Sequence, residues 1–333
     1  MTGREQNLAD RQADRIVWLD IAKGIAILSM LIGHNFEGLL GGIIYSFHMP
    51  LFFILAGYTF RPIKNKDIPK ATLKDVKRLI VPCFMVRGVI LLWNCLFKGA
   101  LFSDELRSLC LGLLWGNFYG DFFGIVLPAV GIIWFLIALF WAKLVYRILL
   151  NMFEDRYRMP FLLIACFASM FLGVHDIILP QNADMLFTCI LFMEIGYTLK
   201  KADFFAKINH WALLLIFTVW TYFCGSQYIH ISMNARGYPG YGLCLVVALA
   251  GCICVFFFSK SIEEKTIAKP LIFFGKNSMV LLCIQSIAPH VYTSSTNLQR
   301  FMDMFIECVL AAAYVYAKRV FFFLHNRRVF GKR

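Results

Sequence analysis

The stretch that decides the fold is IVWLDIAKGIAILSMLIGHNF, Ile16 to Phe36, an apolar run of the length that crosses a bilayer, roughly 20 residues. Lys23 and His34 lie inside this run, and Asp20 lies near its start. Eleven helical steps of about 100° return to nearly the same face, so Lys23 and His34 lie on one stripe, roughly 16 Å apart along the axis. Ionisable groups are costly in hydrocarbon unless they are compensated. The pair therefore predicts a functional site inside a membrane helix.

The composition predicts an all-α polytopic membrane protein. The chain of 333 residues is 60% hydrophobic and contains 34 phenylalanines, and its mean hydropathy is +0.69. Apolar runs separated by polar breaks predict about ten spans, which leaves no room for a separate soluble domain. The predicted spans are Val17–Phe36, Ile43–Phe60, Leu79–Phe97, Val130–Leu149, Pro160–Val174, Met185–Leu199, His210–Ile229, Tyr241–Phe258, Leu271–His290 and Phe301–Phe323.

The charge distribution predicts that both termini are cytoplasmic. With that orientation most lysines and arginines fall in inside loops, and only Lys98, Arg107, Arg236 and Arg300 lie outside, as the positive-inside rule requires. We expect a cytoplasmic tail at 1–15, a membrane domain at 16–323 and a basic cytoplasmic tail at 324–333. The net charge of +13 is then explained by the basic inside loops that set the topology and by their contact with anionic lipids. Nucleic-acid binding is not expected.

Other sequence signals narrow the class of chemistry. The first helix has no small-residue cleavage site, which indicates an uncleaved segment. Ten of the eleven cysteines fall in or beside predicted spans, and no ligand spacing indicates a metal. The loop at 98–124 is expected to hold a partly embedded helix around Leu106 to Trp115. No hydrolase, nucleotide-binding or metalloprotease motif is present.

Depth in the membrane groups the remaining polar residues into two sets. At the cytoplasmic end we expect a cationic mouth formed by Lys23, Arg78 and Lys276, with Arg87 about two turns deeper than Arg78. Toward the outside we expect a chamber that contains His34, His48, Trp134 and Gln285. Cations would hold phosphates, and a histidine further in can act as a general base or a nucleophile. Acyl-coenzyme A matches this arrangement, because it is anionic at one end and reactive at the other.

Several motifs resemble those of the acyltransferase 3 family of membrane O-acyltransferases. Lys23 and His34 match its R/K-x10-H signature, and SFHMPLFFILAGY, Ser46 to Tyr58, is similar to its F-H-M-P-L-F-F-x-x-S-G-Y motif in the form typical of fucose 4-O-acetylase-like members. Two positions differ from the pattern: Ala56 replaces a serine, and Gln285 stands where many members carry a histidine. Later blocks are matched by Lys77–Pro82, Trp134–Leu136 and Gly275–Met279.

The resemblance implies a ten-helix enzyme of the bacterial cytoplasmic membrane. It would move acetyl from cytoplasmic acetyl-CoA to a hydroxyl of an extracytoplasmic glycan or lipid-linked sugar. His34 would be the base, Lys23 would contact CoA or position the site, and Asp20 would orient the ammonium of Lys23. We expect the CoA site to include Lys23, Arg78, Arg87, Lys276, Asn277 and Ser278. We expect the substrate pocket to include His48, Tyr58, Trp134 and Gln285.

Two other functions remain open from the sequence. The membrane domains of serine racemases from vancomycin-resistance clusters look similar, and on that interpretation the polar path takes up or binds serine. A binding or scaffold protein with a degenerate site is the third class.

Single residues also have structural alternatives. His34 can bond a neighbouring helix, Lys23 can reach the interface or pair with Asp20, and His48 can bond backbone groups that Pro50 leaves unpaired. Trp134 can be an interfacial anchor, Arg78 a topology anchor, and Glu194 the partner of a cation. A helix start is also consistent with Lys276, Asn277 and Ser278, and these residues can either bind phosphate there or only cap the helix.

Overall fold

The computed structural model describes residues 16–36, 38–117, 121–122, 125–204, 208–225, 231–291 and 296–330. These residues are mostly helical, with one pair of two-residue antiparallel strands, β1 (Asp121–Phe122) and β2 (Ile125–Val126). The helices are α1 (Val17–Asn35), α2 (Leu39–Tyr58), α3 (Ile68–Asp75), α4 (Val81–Phe97), α5 (Phe102–Trp115), α6 (Trp134–Met152), α7 (Asp155–Val174), α8 (Leu186–Lys201), α9 (His210–Gly225), α10 (Gly242–Ser261), α11 (Ala268–Lys276), α12 (Ser278–Val291) and α13 (Asn297–Phe330).

Each predicted span corresponds to a helix or a helix pair, but the count of ten spans is not confirmed. Among the described residues, six helices are long and apolar enough to cross a membrane, and a bent pair raises the number to seven. The helix α9 is apolar but shorter. The predicted end of that span at Ile229 lies outside the described residues. The helix predicted around Leu106 to Trp115 is α5.

Two helices depart from straight α geometry where the sequence motifs lie. A π-helical turn, Val76–Ile80, joins α3 to α4 within a helical segment that runs from Asn65 to Phe97. The helices α11 and α12 meet at a 74° bend around Asn277. Such π turns and broken membrane helices occur frequently at functional sites.

Glycines let the backbones of two pairs of helices come into direct contact. A Cβ added to Gly57 of α2 would lie 1.9 Å from the carbonyl oxygen of Met193 in α8. A Cβ on Gly275 of α11 would lie 1.8 Å from the carbonyl oxygen of Asp20 in α1. Close packing through small residues is how membrane helices associate without a hydrophobic driving force. The Gly57 and Gly275 contacts therefore fix α2 against α8 and α11 against α1.

We expect Gly275→Ala to destabilise the protein by about 1–3 kcal/mol, because the added methyl group overpacks a backbone contact that cannot yield without moving a helix. Thermal unfolding in detergent measures the effect. Gly88→Ala is the matched control, since Gly88 lies within α4 and a Cβ there meets nothing within 4 Å. An unchanged midpoint for Gly275→Ala would contradict the close packing of α11 on α1.

Candidate functional site

A cavity of about 660 Å³ lies between α1, α2, the α3 and π-turn segment, α6 and the α11–α12 bend. We call it the cationic cavity. The face that α1 turns toward it is formed by Asp20, Lys23, Ile27, Met30 and His34. This spacing of three and four residues is one stripe of an α-helix. The predicted Lys23 and His34 stripe therefore lines a single cavity.

Positive side chains dominate the lining of this cavity. Among the described residues it carries seven lysines and arginines, namely Lys23, Arg61, Lys74, Arg78, Lys143, Arg147 and Lys276, against two carboxylates, Asp20 and Asp75. The excess of positive charge suits a ligand with several negative charges. Trp134 and Ser278, both predicted as site residues, also lie on the wall.

Sequence reasoning missed a buried ionic cluster on the wall formed by α6. Lys143 and Arg147, one turn apart, both bond the carboxylate of Asp75, which is 5% exposed. The Nη1 atom of Arg147 is buried and has no hydrogen-bond partner. Two cations four residues apart within an apolar span are costly in the membrane, as Lys23 is. The same argument that identified Lys23 was therefore sufficient to find them.

The irregular helices place the motif residues at the cavity. Arg78 lies in the π turn, which changes the direction of side chains relative to the flanking α3 and α4. The bend after Lys276 puts Ser278, the first residue of α12, on the cavity wall. The first N–H groups of a helix have no partner within it and attract anions. Asn277 lies at the bend and is not on the wall; its side chain donates to Phe273 O at 2.8 Å.

His34 lies in the last turn of α1 and is exposed to the cavity. Its ring is 6.5 Å from that of Tyr45, centroid to centroid, and the Tyr45 hydroxyl donates to Gly33 O at 2.9 Å. From α13, Arg300 donates to Asn35 O at 3.1 Å. These bonds hold the end of α1 that carries His34. The imidazole therefore lies at a held helix end and is open to the cavity.

His48 is placed near His34 but not on the cavity wall. Its ring lies 5.2 Å from that of Tyr45, and its Nδ1 donates to Ile44 O at 3.0 Å. The acceptor is a backbone carbonyl, but it is not Ser46 O, the group whose N–H partner Pro50 removes, so the structural alternative for His48 is not confirmed.

Three other predicted site residues lie away from the cavity wall. Tyr58 packs against Trp18, with ring centroids 5.2 Å apart. Arg87 donates to the Ser108 hydroxyl of α5 at 3.2 Å. The Gln285 side-chain amide faces the carboxylate of Glu307 in α13, a residue that is 2% exposed. Of the two positions that differ from the expected motifs, only Ala56 lines the cavity.

Two further buried ion pairs are formed by residues that do not line the cationic cavity. Glu194 of α8 accepts from Arg158 Nε and from the Tyr146 hydroxyl, both at 2.7 Å, which confirms that Glu194 pairs with a cation. Arg236 Nε donates to Asp184 at 2.7 Å and, through Nη2, to Asn117 at 2.8 Å. The described side chains show no group of three His, Cys, Asp or Glu residues that could hold a metal ion.

Comparison with known proteins gives one match. The family model described as an acyltransferase domain matches residues 16–317, a range that contains all the residues that line the cationic cavity. Neither the curated proteins nor the solved structures yield a match.

Proposed function

This chain belongs to the acyltransferase 3 family of membrane acyltransferases, and from this premise we propose that it transfers an acyl group from acyl-CoA to a hydroxyl group. We propose acetyl-CoA as the donor and a cell-surface glycan or lipid-linked sugar as the acceptor, in a multi-pass protein of the bacterial cytoplasmic membrane. The observation that carries the proposal is the cationic cavity, which contains His34 and seven cationic side chains.

The charge of the cavity supports a donor that carries phosphates. Arginine and lysine side chains bind phosphate strongly, and a low-dielectric wall strengthens the attraction. Lys276 and the first turn of α12 add a second group of donors beside Lys23. We propose that these residues and Arg78 hold the phosphates of CoA. The pantetheine arm would then extend along the α1 stripe.

The position of His34 supports its role as general base. It lies roughly 16 Å from Lys23 along α1, near the far end of the stripe that lines the cavity. A base at this place can take the proton of an acceptor hydroxyl as the oxygen attacks the thioester carbonyl, and CoA leaves as the thiolate. Proton transfer of this kind contributes about 10²–10⁴-fold to a rate.

The orientation of the transfer follows from the predicted topology. If both termini are cytoplasmic, α1 begins inside, so Lys23 faces the cytoplasmic supply of acetyl-CoA and His34 faces the outside. Trp134 lies on the same wall and offers an aromatic surface for a sugar ring. We propose that the acceptor enters from the His34 end.

The serine-uptake alternative fits this cavity less well. An amino acid has no net charge at neutral pH, so it needs one cation and one anion. The cavity presents seven cationic side chains among its described residues, and one of its two carboxylates, Asp75, already bonds Lys143 and Arg147. The excess charge favours a polyanion.

Binding to the purified protein in nanodiscs tests the donor class. We expect acetyl-CoA and CoA to bind, with an affinity that falls steeply as salt concentration rises, because several exposed cations contribute. Pantetheine, which lacks phosphates, is expected to bind much more weakly, and serine is expected not to compete. Serine binding without any acetyl-CoA binding would overturn the proposal and favour uptake.

A further inference from the structure

The Asp75 carboxylate bonds two of the cations that line the cationic cavity. Its side chain is 6% exposed and bonds Lys143 Nζ and Arg147 Nη2 on the cavity wall. Lys143 is 19% exposed, so its ammonium remains open to a ligand in the cavity. Asp75 directly precedes the π turn that carries Arg78. Asp75 thus links Lys143 and Arg147 of α6 to the π turn, which carries Arg78.

Carboxylate and phosphate oxygens accept hydrogen bonds from the same N–H groups. A phosphate that reaches Lys143 or Arg147 must therefore share their N–H groups with Asp75 or displace it. Arg147 also keeps an N–H group without a partner, because its Nη1 is buried and bonds nothing while Nη2 bonds Asp75. Each negative charge kept near these cations also reduces their attraction for an anion.

We propose that Asp75 is an internal competitor for the donor's phosphates, which limits the affinity of the cationic cavity for CoA and so promotes release of the CoA product. This inference rests on the proposed function, since it takes a CoA ester as the ligand. Asp75 acts through Lys143 and Arg147, and is therefore a positioning residue. A purely structural ion pair would instead support binding, so the two roles predict opposite changes in affinity.

The test compares CoA binding to the wild-type protein and to Asp75→Asn in nanodiscs at one ionic strength. We expect the dissociation constant of CoA to fall about tenfold, because one negative charge is removed from beside the phosphate-binding cations. Pantetheine affinity is expected to stay the same, since it has no phosphates. In turnover assays KM for acetyl-CoA and kcat should both fall, and CoA should become a stronger product inhibitor.

A second comparison covers the case in which Asp75→Asn does not fold. Arg147→Gln is compared with the double variant Arg147→Gln, Asp75→Asn, in which a cation and the carboxylate are removed together. The double variant is expected to bind CoA about tenfold more tightly than Arg147→Gln alone. Asp155→Asn is the matched control, because Asp155 also pairs with two cations, Arg158 and Lys201, but does not line the cavity.

The outcomes separate this inference from the proposed function. CoA binding that is equal or weaker when Asp75 is replaced, in both comparisons, overturns the inference and leaves the donor assignment standing. Tighter binding of pantetheine as well as CoA also overturns it, because charge would then not be the cause. Wild-type protein that binds no CoA overturns the proposed function and this inference together.

Discussion

His34→Ala is expected to lower kcat for acyl transfer by about 10²–10⁴-fold, the usual contribution of a positioned general base. The dissociation constant of acetyl-CoA is expected to change little, because the cations that would bind the phosphates lie toward the other end of the α1 stripe. CoA release with a glycan or sugar acceptor, measured with purified protein, gives kcat. Binding of acetyl-CoA is measured on the same preparation. His34→Gln is expected to be equally slow, since an amide cannot take a proton.

His175→Ala is the control for loss of an exposed histidine. His175 lies just after α7, where its ring centroid is 4.2 Å from that of Phe171, and it does not line the cationic cavity. Its substitution is expected to leave turnover at the wild-type level. If His34→Ala and the wild type turn over equally, His34 is not the base.

The largest effect on stability is expected from Glu194→Ala. The carboxylate accepts from Arg158 and Tyr146, and both members of the ion pair have side chains only 3% exposed. Removing one partner leaves the Arg158 charge buried without its main counter-ion, which typically costs about 3–5 kcal/mol. Thermal unfolding in detergent should show a large fall in the midpoint. Glu154→Ala removes an ion pair whose side chains are 70% and 71% exposed, and about 0–1 kcal/mol is expected there.

A double substitution tests the cause of the Glu194 effect. Replacing Glu194 and Arg158 together by methionine removes the uncompensated charge, so most of the lost stability should return. If the double variant is as unstable as Glu194→Ala, packing and not charge accounts for the loss. If Glu194→Ala costs no more than Glu154→Ala, the buried pair contributes nothing measurable.

The positions of the helices were largely predictable from the sequence, because a bilayer requires long apolar segments and the chain separates them with polar breaks. The bend at Asn277 was not predicted. Hydropathy treats Leu271–His290 as one continuous run, whereas the close approach of Gly275 to Asp20 fixes α11 against α1 and α12 leaves it at 74°. Contacts of this kind depend on pairs of helices, which a single apolar run does not reveal.

The candidate site was predicted in part: seven of the twelve predicted site residues line the cavity, namely Asp20, Lys23, His34, Arg78, Trp134, Lys276 and Ser278. The spacing of Lys23 and His34 places them on one stripe, and both line the cavity. Lys143 was missed although a lysine inside an apolar span carries the same signal as Lys23, whereas the role of Asp75 depends on a contact between α6 and the segment before the π turn. Arg87 was expected on the donor path from its depth alone, but its direction around α4 turns it toward Ser108. The depth of a residue in the membrane can be predicted from the sequence, whereas its partners on other helices cannot.

The central claim is that one cavity holds the phosphates of acyl-CoA at its cationic end and delivers the acyl group to His34. A cryo-EM structure of the protein in nanodiscs with acetyl-CoA tests it most directly. We predict density for CoA phosphates within about 4 Å of the nitrogen atoms of Lys23, Lys276 or Arg78, with the thioester beside the His34 imidazole. Density for CoA outside this cavity, or with its thioester away from His34, would contradict the claim.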